Sequence, residues 1–249
     1  LIKAGFIETD IYELDSFDQS IFKSLTLYLK DDDESISFFK ELMSKMDNIN
    51  DEISDKTLLG YFLEKGISPK IVQVLVEDFG ANTQYKSNAG ENFIYTVLNT
   101  YGLDPEKVKE YITLLINNGV DINEKNIVGT TPLMCAVKRN RKELLPFLLE
   151  NGADPNETDN SNNTAYYYAV AEQFSFDMYD ALATVSSPDF NIVNKEGRTL
   201  LTNFISSISG SPSDITFLER LLADGADVSF CAQYYGQPKS GIDFIVEKK

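Results

Sequence analysis

Two short runs of apolar residues, each spaced for a helix, follow Gly129. Leu133, Ala136 and Val137 share one helical face, and Leu144, Leu145, Leu148 and Leu149 share another a few residues later. Polar residues punctuate both runs. Thr131 suits an N-cap that accepts a bond from an orphan backbone N–H, and Pro132 at the first helical position gives up no donor that the helix needs. Pro146 falls within the first turn of the second run, where proline is tolerated. Gly152 supplies a left-handed stop. The pattern predicts a helix pair, with KRNRK (138–142) at the turn between its members.

The same punctuation recurs along the chain. Cap positions are held by Thr57, Asn92, Thr131, Thr164 and Thr199, and two residues before each stand Asp55, Gly90, Gly129, Asn162 and Gly197. All five of the latter tolerate a left-handed turn better than the average residue. Segments closing each unit read FGANTQ (79–84), NGVDIN (118–123), NGADPN (151–156), SPDFN (187–191) and DGADVS (224–229), and their ends lie 39, 33, 35 and 38 residues apart. A degenerate earlier copy closes at MDNIN (46–50). Two units carry insertions with extended-turn signals, NTYGLDPEKVKE (99–110) and SSISGSPSD (206–214), and Asp104 with Pro105 starts a helix inside the first. At the front, 16–30 and 35–46 are apolar-periodic and predict a first helix pair, with DDDE (31–34) placing acidic residues at a helix start. SGIDFIVEKK (240–249) opens one more first helix, capped by Ser240.

A period near 33 residues, TPL at a helix start and GADPN after a helix pair resemble the ankyrin repeat. Residues 128–156 match that repeat almost position for position, in GTTPLMCAV and LLPFLLENGADPN, and the resemblance extends over roughly 50–230. The histidine usual after TPL is replaced by Gly60, Tyr95, Met134, Tyr167 and Thr202. The resemblance implies an all-α solenoid of stacked helix-turn-helix repeats with projecting β-hairpin loops. It would form a single domain over 1–249: a degenerate helix pair or cap at 1–50, about five repeats over 51–229, and a truncated repeat or cap at 230–249.

The function implied is a non-catalytic scaffold that binds a protein through hairpin tips and first-helix ends. On the family pattern the tips map to Lys86, Asn88 and Glu91, to Lys125, Ile127, Val128 and Thr130, to Asn160, Ser161 and Asn163, and to Lys195, Glu196 and Arg198. The first-helix ends add Lys138, Arg139 and Glu172. Ile127 and Val128 stand out, because adjacent aliphatic residues at a tip face solvent unless something covers them; the plainer alternative packs Ile127 on a neighbouring hairpin. KRNRK either meets acidic groups of a partner or is a turn running into a solvated helix start. Tyr166, Tyr167 and Tyr168 read as core, with Tyr166 the counterpart of Leu133 and Tyr167 able to face the concave side.

Composition narrows the choice. Thirty-nine acidic residues against 22 basic ones give a net charge of -17, which disfavours phosphate backbones and anionic membranes and favours a basic partner or plain solubility. With no histidine, the chain cannot build a Ser-His-Asp or Cys-His arrangement, and two isolated cysteines give no metal-ligand spacing. No cofactor or metal is expected. Carboxylate chemistry has no identifiable acid–base pair, so the chain reads as no enzyme. Cys135 and Cys231 lie about three units apart, too far to bridge, and Cys135 aligns with a buried helical position. No apolar run reaches the roughly 18 residues needed to span a bilayer. Because the chain starts at Leu1, a trimmed front is expected; a cytoplasmic monomer is the default, with export left open. Two further readings stay in view: a bacterial effector or toxin-neutralising protein using its acidic surface, and a regulatory fragment of a larger enzyme.

Overall fold

The computed structural model describes residues 29–46, 48–53 and 56–247. Most of the helix expected over 16–30, and the turn residue Asp55, lie outside the described residues. Two compact units are present, the first running to Ser87 and resuming at Asn92–Val120, the second made of Asn88–Glu91 and the chain from Asp121 onward.

In the first unit the order is α1 (Asp33–Met43), β1 (Glu52–Ile53), β2 (Lys56–Thr57), α2 (Leu58–Lys65), α3 (Pro69–Glu77), α4 (Phe93–Asn99) and α5 (Pro105–Asn117). Asp32 caps α1 by accepting the Ser35 N–H. The two strands pair antiparallel, Glu52 with Thr57. Much of the stretch 99–110 is helix rather than insertion, since the Asp104 carboxylate accepts the Lys107 N–H and α5 then runs 13 residues. The Tyr111 hydroxyl donates to the Ile67 carbonyl, tying α5 back to the preceding helix pair.

The second unit holds α6 (Pro132–Lys138), a 3-10 turn (Lys142–Leu144) leading into α7 (Leu145–Glu150), and α8 (Ala165–Tyr167), which continues as a π-helical turn (Tyr168–Glu172). Then come α9 (Phe176–Ala183), α10 (Leu200–Ser207), α11 (Pro212–Ala223), the hairpin β3 (Ala232–Tyr234) and β4 (Gln237–Lys239), and α12 (Gly241–Glu247). The stretch 206–214, which carries extended-turn signals, is only partly a turn. Ser211 and Asp214 form a reciprocal capping box, so Pro212 opens α11.

All five cap residues act as caps. Thr57 accepts from Gly60 N, Asn92 from Ile94 N, Thr131 from Met134 N, Thr164 from Tyr167 N and Thr199 from Thr202 N. Counted from each cap, the second, fifth and sixth residues are apolar and at most 2% exposed: for example Leu133, Ala136 and Val137 after Thr131, and Leu201, Phe204 and Ile205 after Thr199. The first helices pack against the second helix of the same repeat, as α6 does on α7 and α4 on α5, and against neighbouring first helices, as α10 does on α12.

Between second helices of the second unit the core is aromatic. Phe217 stacks on Phe176 with centroids 3.9 Å apart and meets Tyr179 edge-on, while the Tyr179 hydroxyl donates to Asp224 at 2.8 Å. Cys135 is buried and in no disulfide, and burial pushes its thiol up to about 11; Cys231 is exposed and likewise in no disulfide.

Candidate partner-binding surface

Three residues that sequence reasoning passed over build the loop tips. Asn126, Asp159 and Asn194 each stand five residues before a cap, and each accepts two backbone N–H groups with one side-chain oxygen. Asn126 takes those of Val128 and Thr130, Asp159 those of Ser161 and Asn163, Asn194 those of Glu196 and Arg198. Each also closes its loop through the backbone, as in Asn126 N–H to the Thr130 carbonyl and Gly129 N–H to the Asn126 carbonyl. The tips are therefore tight Asx-closed turns, ordered without histidine. Strand pairing occurs, among the described residues, only at 52–57 and 232–239.

Neighbouring tips are tied into a row. Ile127 N–H donates to the Ala89 carbonyl at 3.0 Å, Asn160 N–H to Val128 at 3.1 Å and Lys195 N–H to Ser161 at 2.9 Å. Gly129 serves this row twice. Its φ of 79° is left-handed, and a Cβ there would lie 2.5 Å from Asn160 N. At Gly197 the same Cβ would sit 1.9 Å from the Gln233 carbonyl oxygen, because the β3–β4 hairpin abuts that tip. Three residues before the tips a second set of asparagines bridges the closing loops: Asn123 donates to the Gly152 carbonyl and accepts the Asp154 N–H, and Asn156 does the same to Ser187 and Asp189.

On this frame the residues mapped from the sequence differ widely in what they offer. Ile127 and Val128 are 67% and 55% exposed although their backbones are bonded into the row, so Ile127 does not bury itself on a neighbouring tip. Asn88, Lys125, Asn160, Ser161, Lys195 and Glu196 are exposed along the same row, with Lys125 paired to Glu157 at 2.6 Å. Lys86 is exposed in the first unit. Glu91 and Asn163 are half-buried, Glu91 accepting from the Asn126 amide and Asn163 from the Asn194 amide.

Two residues mapped as contacts are committed to the fold. Thr130 is buried, 5% exposed, because its N–H and carbonyl both close the turn on Asn126. Arg198 is half-buried, and its guanidinium donates to the Tyr234 hydroxyl at 2.7 Å, to Ser206 at 3.0 Å and to Asn203 at 3.3 Å. It fastens the hairpin and the fifth first helix to the tip.

The basic run is largely spent within the fold. Lys138 sits 3.9 Å above the Tyr168 ring, Arg141 pairs with Glu143 at 2.8 Å and Lys142 with Asp177 at 3.4 Å. Arg139 is exposed beside them, as is Glu172 at the end of the π turn. Tyr166 is buried, as its helical spacing predicts, and Tyr168 is buried as well. The Tyr168 hydroxyl donates to Asp159 beneath the tip; burial first, and that carboxylate second, push its ionisation far up. Tyr167 is half-buried and reaches the Asn203 side chain. Among the described residues no group of three or more Cys, Asp or Glu side chains is placed to hold a metal, and no helix is long and apolar enough to cross a membrane.

Helix pairs recurring at this spacing, with outward loops laced into a row, make a repeat protein, and residues 104–192 match the family model described as Ankyrin repeats (3 copies). Those residues are similar to three ankyrin repeats, and the fold is that of an ankyrin-type solenoid. The chain is 41% identical over 86 residues to the putative ankyrin repeat protein L92 of Acanthamoeba polyphaga mimivirus, covering 33% of this chain and 20% of that one. It is 42% identical over 64 residues to the putative ankyrin repeat protein FPV230 of Fowlpox virus, covering 26% and 34%. The chain thus spans a fifth to a third of the length of these two relatives. The crystal structure of EF0377, an ankyrin repeat protein, superposes with a TM-score of 0.60 at 22% identity over 76% of this chain and 90% of that one.

Proposed function

We propose that the chain is a protein-binding scaffold whose contact surface is the row of loop tips in the second unit, centred on Ile127 and Val128. Ankyrin repeats as a class mediate protein–protein interaction without catalysing a reaction, and this reading adds the face. One observation carries it: two adjacent aliphatic side chains stand in solvent at a tip whose backbone is fully bonded and hence rigid. Such a pair adds little backbone ordering cost on binding and removes apolar area from water when covered. Around it the row is polar and of mixed charge, with Lys125, Asn160, Ser161, Lys195 and Glu196 as rim, and Arg139 and Glu172 at the first-helix ends.

A photo-crosslinking residue placed at Val128 supplies the partner, and the affinity of the purified pair is then measured for the parent and for an Ile127→Asp, Arg139→Glu variant. Tenfold or greater weakening with the thermal transition unchanged is the expected result. Equal affinity of the two proteins would remove this face from consideration.

A further inference from the structure

We infer that Phe174, between the π turn and α9, and the basic turn 138–142 beside it form a second contact surface, which takes a peptide segment of a protein partner carrying an apolar side chain flanked by carboxylates. The surface lies at the other end of the first helices from the tips and does not rest on the reading above. Adjoining units end their first helices in one way. Asn140 has a left-handed φ of 56°, and the next N–H, of Arg141, returns to the carbonyl of Ala136, the fifth residue after the cap Thr131. Phe174 has a φ of 48°, and the next N–H, of Ser175, returns to the carbonyl of Ala169, the fifth residue after the cap Thr164. Phe174 therefore holds the place of Asn140, reached one residue later because the π turn takes up an extra residue. Glycine and asparagine suit that place, and a bulky aromatic residue does not.

Core packing does not account for the aromatic residue. Phe176, two residues on, stacks on Phe217, whereas Phe174 is 59% exposed. First helices of the units on both sides, α6 and α10, pack on the π turn, so Phe174 lies within the stack and not at its end. A left-handed backbone that holds an apolar ring in water lowers the stability of the free protein. Such departures, like π turns, gather at functional sites.

Charge selects the occupant. The Gln173 amide donates to the Lys138 carbonyl at 3.4 Å and Lys142 pairs with Asp177 at 3.4 Å, so 138–142 and 173–177 lie side by side, with Phe174 inside the bracketed stretch. Together the two stretches carry four cations, Lys138, Arg139, Arg141 and Lys142, and one carboxylate, Asp177, in a chain of net charge -17. Lys142 and Asp177 are both exposed, so their pair is weak in water and open to exchange for a partner's carboxylate. An apolar ring bordered by cations fits an apolar residue bordered by carboxylates. A single nucleic acid strand also combines stacking with negative charge, but the acidic body of the chain repels a long polyanion more than a peptide of few charges.

The chain has no tryptophan, so the emission of a single tryptophan in a synthetic peptide reports its burial directly. The purified chain is titrated with a glycine-rich peptide in which glutamates flank that tryptophan, with the same peptide carrying lysines for glutamates, and with a labelled single-stranded oligonucleotide. The glutamate peptide binds with blue-shifted emission, and the other two do not bind. Phe174→Asn weakens that binding about tenfold or more while raising the midpoint of urea unfolding, because asparagine relieves the backbone at φ 48°. Ile127→Asp, at the tips, leaves the affinity for the peptide unchanged. Four results would overturn the proposal: no binding of the glutamate peptide by the parent, tighter binding of the oligonucleotide, a Phe174→Asn variant that binds equally or unfolds at lower urea, or sedimentation showing a parent dimer that Phe174→Asn dissolves.

Discussion

Replacing Gly129 by alanine separates two contributions that usually coincide at a turn glycine. The left-handed φ of 79° costs an alanine about 1–2 kcal/mol on its own. A further cost comes from the neighbour, because the new Cβ would lie 2.5 Å from Asn160 N and 2.6 Å from its Oδ1, atoms held by the bonds of Asn160 to Val128 and Ile127. Relieving that overlap stretches the 3.1 Å bond from Asn160 N–H to the Val128 carbonyl, whose loss is worth about 1 kcal/mol. The expected total is about 2–3 kcal/mol. Gly152→Ala is the control: φ is 90° there, and nothing lies within 4 Å of the added Cβ, so only the backbone contribution applies. Urea unfolding of both variants should show Gly129→Ala the less stable by about 1 kcal/mol, the value of that one bond. Hydrogen exchange should show the Asn160 amide losing protection in Gly129→Ala alone. Equal destabilisation, with the Asn160 amide still protected, would refute the close-approach argument.

Three further outcomes follow from other parts of the structure. Asn156→Ala removes the bonds to Ser186, Ser187 and Asp189 and should cost about 1–2 kcal/mol in urea unfolding, since these are neutral bonds near the surface. A thiol reagent at pH 8 should label Cys231 rapidly in the folded protein and reach Cys135 only on unfolding, because burial holds the Cys135 thiol near 11; mass spectrometry of the labelled peptides reports this. Asp243 lies below the ordinary carboxylate range because it accepts from the Ser240 hydroxyl and N–H. A depressed folded value means that its contribution to stability is fully present above the unfolded value and is lost as pH falls through the folded one. Asp243→Asn should therefore flatten the acid limb of a stability-against-pH curve and leave its neutral region comparatively unchanged in slope.

The helix starts were legible because a cap is a local device: a threonine or asparagine bonds an N–H two or three residues on, and nothing distant decides it. Burial two, five and six residues past each cap follows from helical spacing in the same way. The insertion at 206–214 was harder, since Ser211 with Asp214 is a capping box written in the same serine, glycine and proline letters as a loop. The tips were legible in position and not in mechanism. Asn126, Asp159 and Asn194 repeat five residues before a cap, a signal available in the sequence, but their closing bonds depend on a five-residue turn whose geometry composition does not reveal. Thr130 and Arg198 show the limit of mapping by position. Both sit where a tip residue should, and one is drawn into its own turn while the other reaches Tyr234, 36 residues away. The π turn at Tyr168–Glu172, followed by Phe174 at φ 48°, carries no sequence mark that we can identify.

The bonded row of tips also fixes where this chain can change length. From 126 to 130, 159 to 163 and 194 to 198 each tip is five residues, closed on itself and registered against the one before by an N–H···O bond. An added residue there would break both closures at once. Spacing between units nonetheless varies from 33 to 39 residues, and the slack is taken up in connections such as 100–104 and 208–211, between helices. A segment grafted onto this scaffold for display would therefore be accommodated at those turns, whereas the tips accept exchange of side chains only.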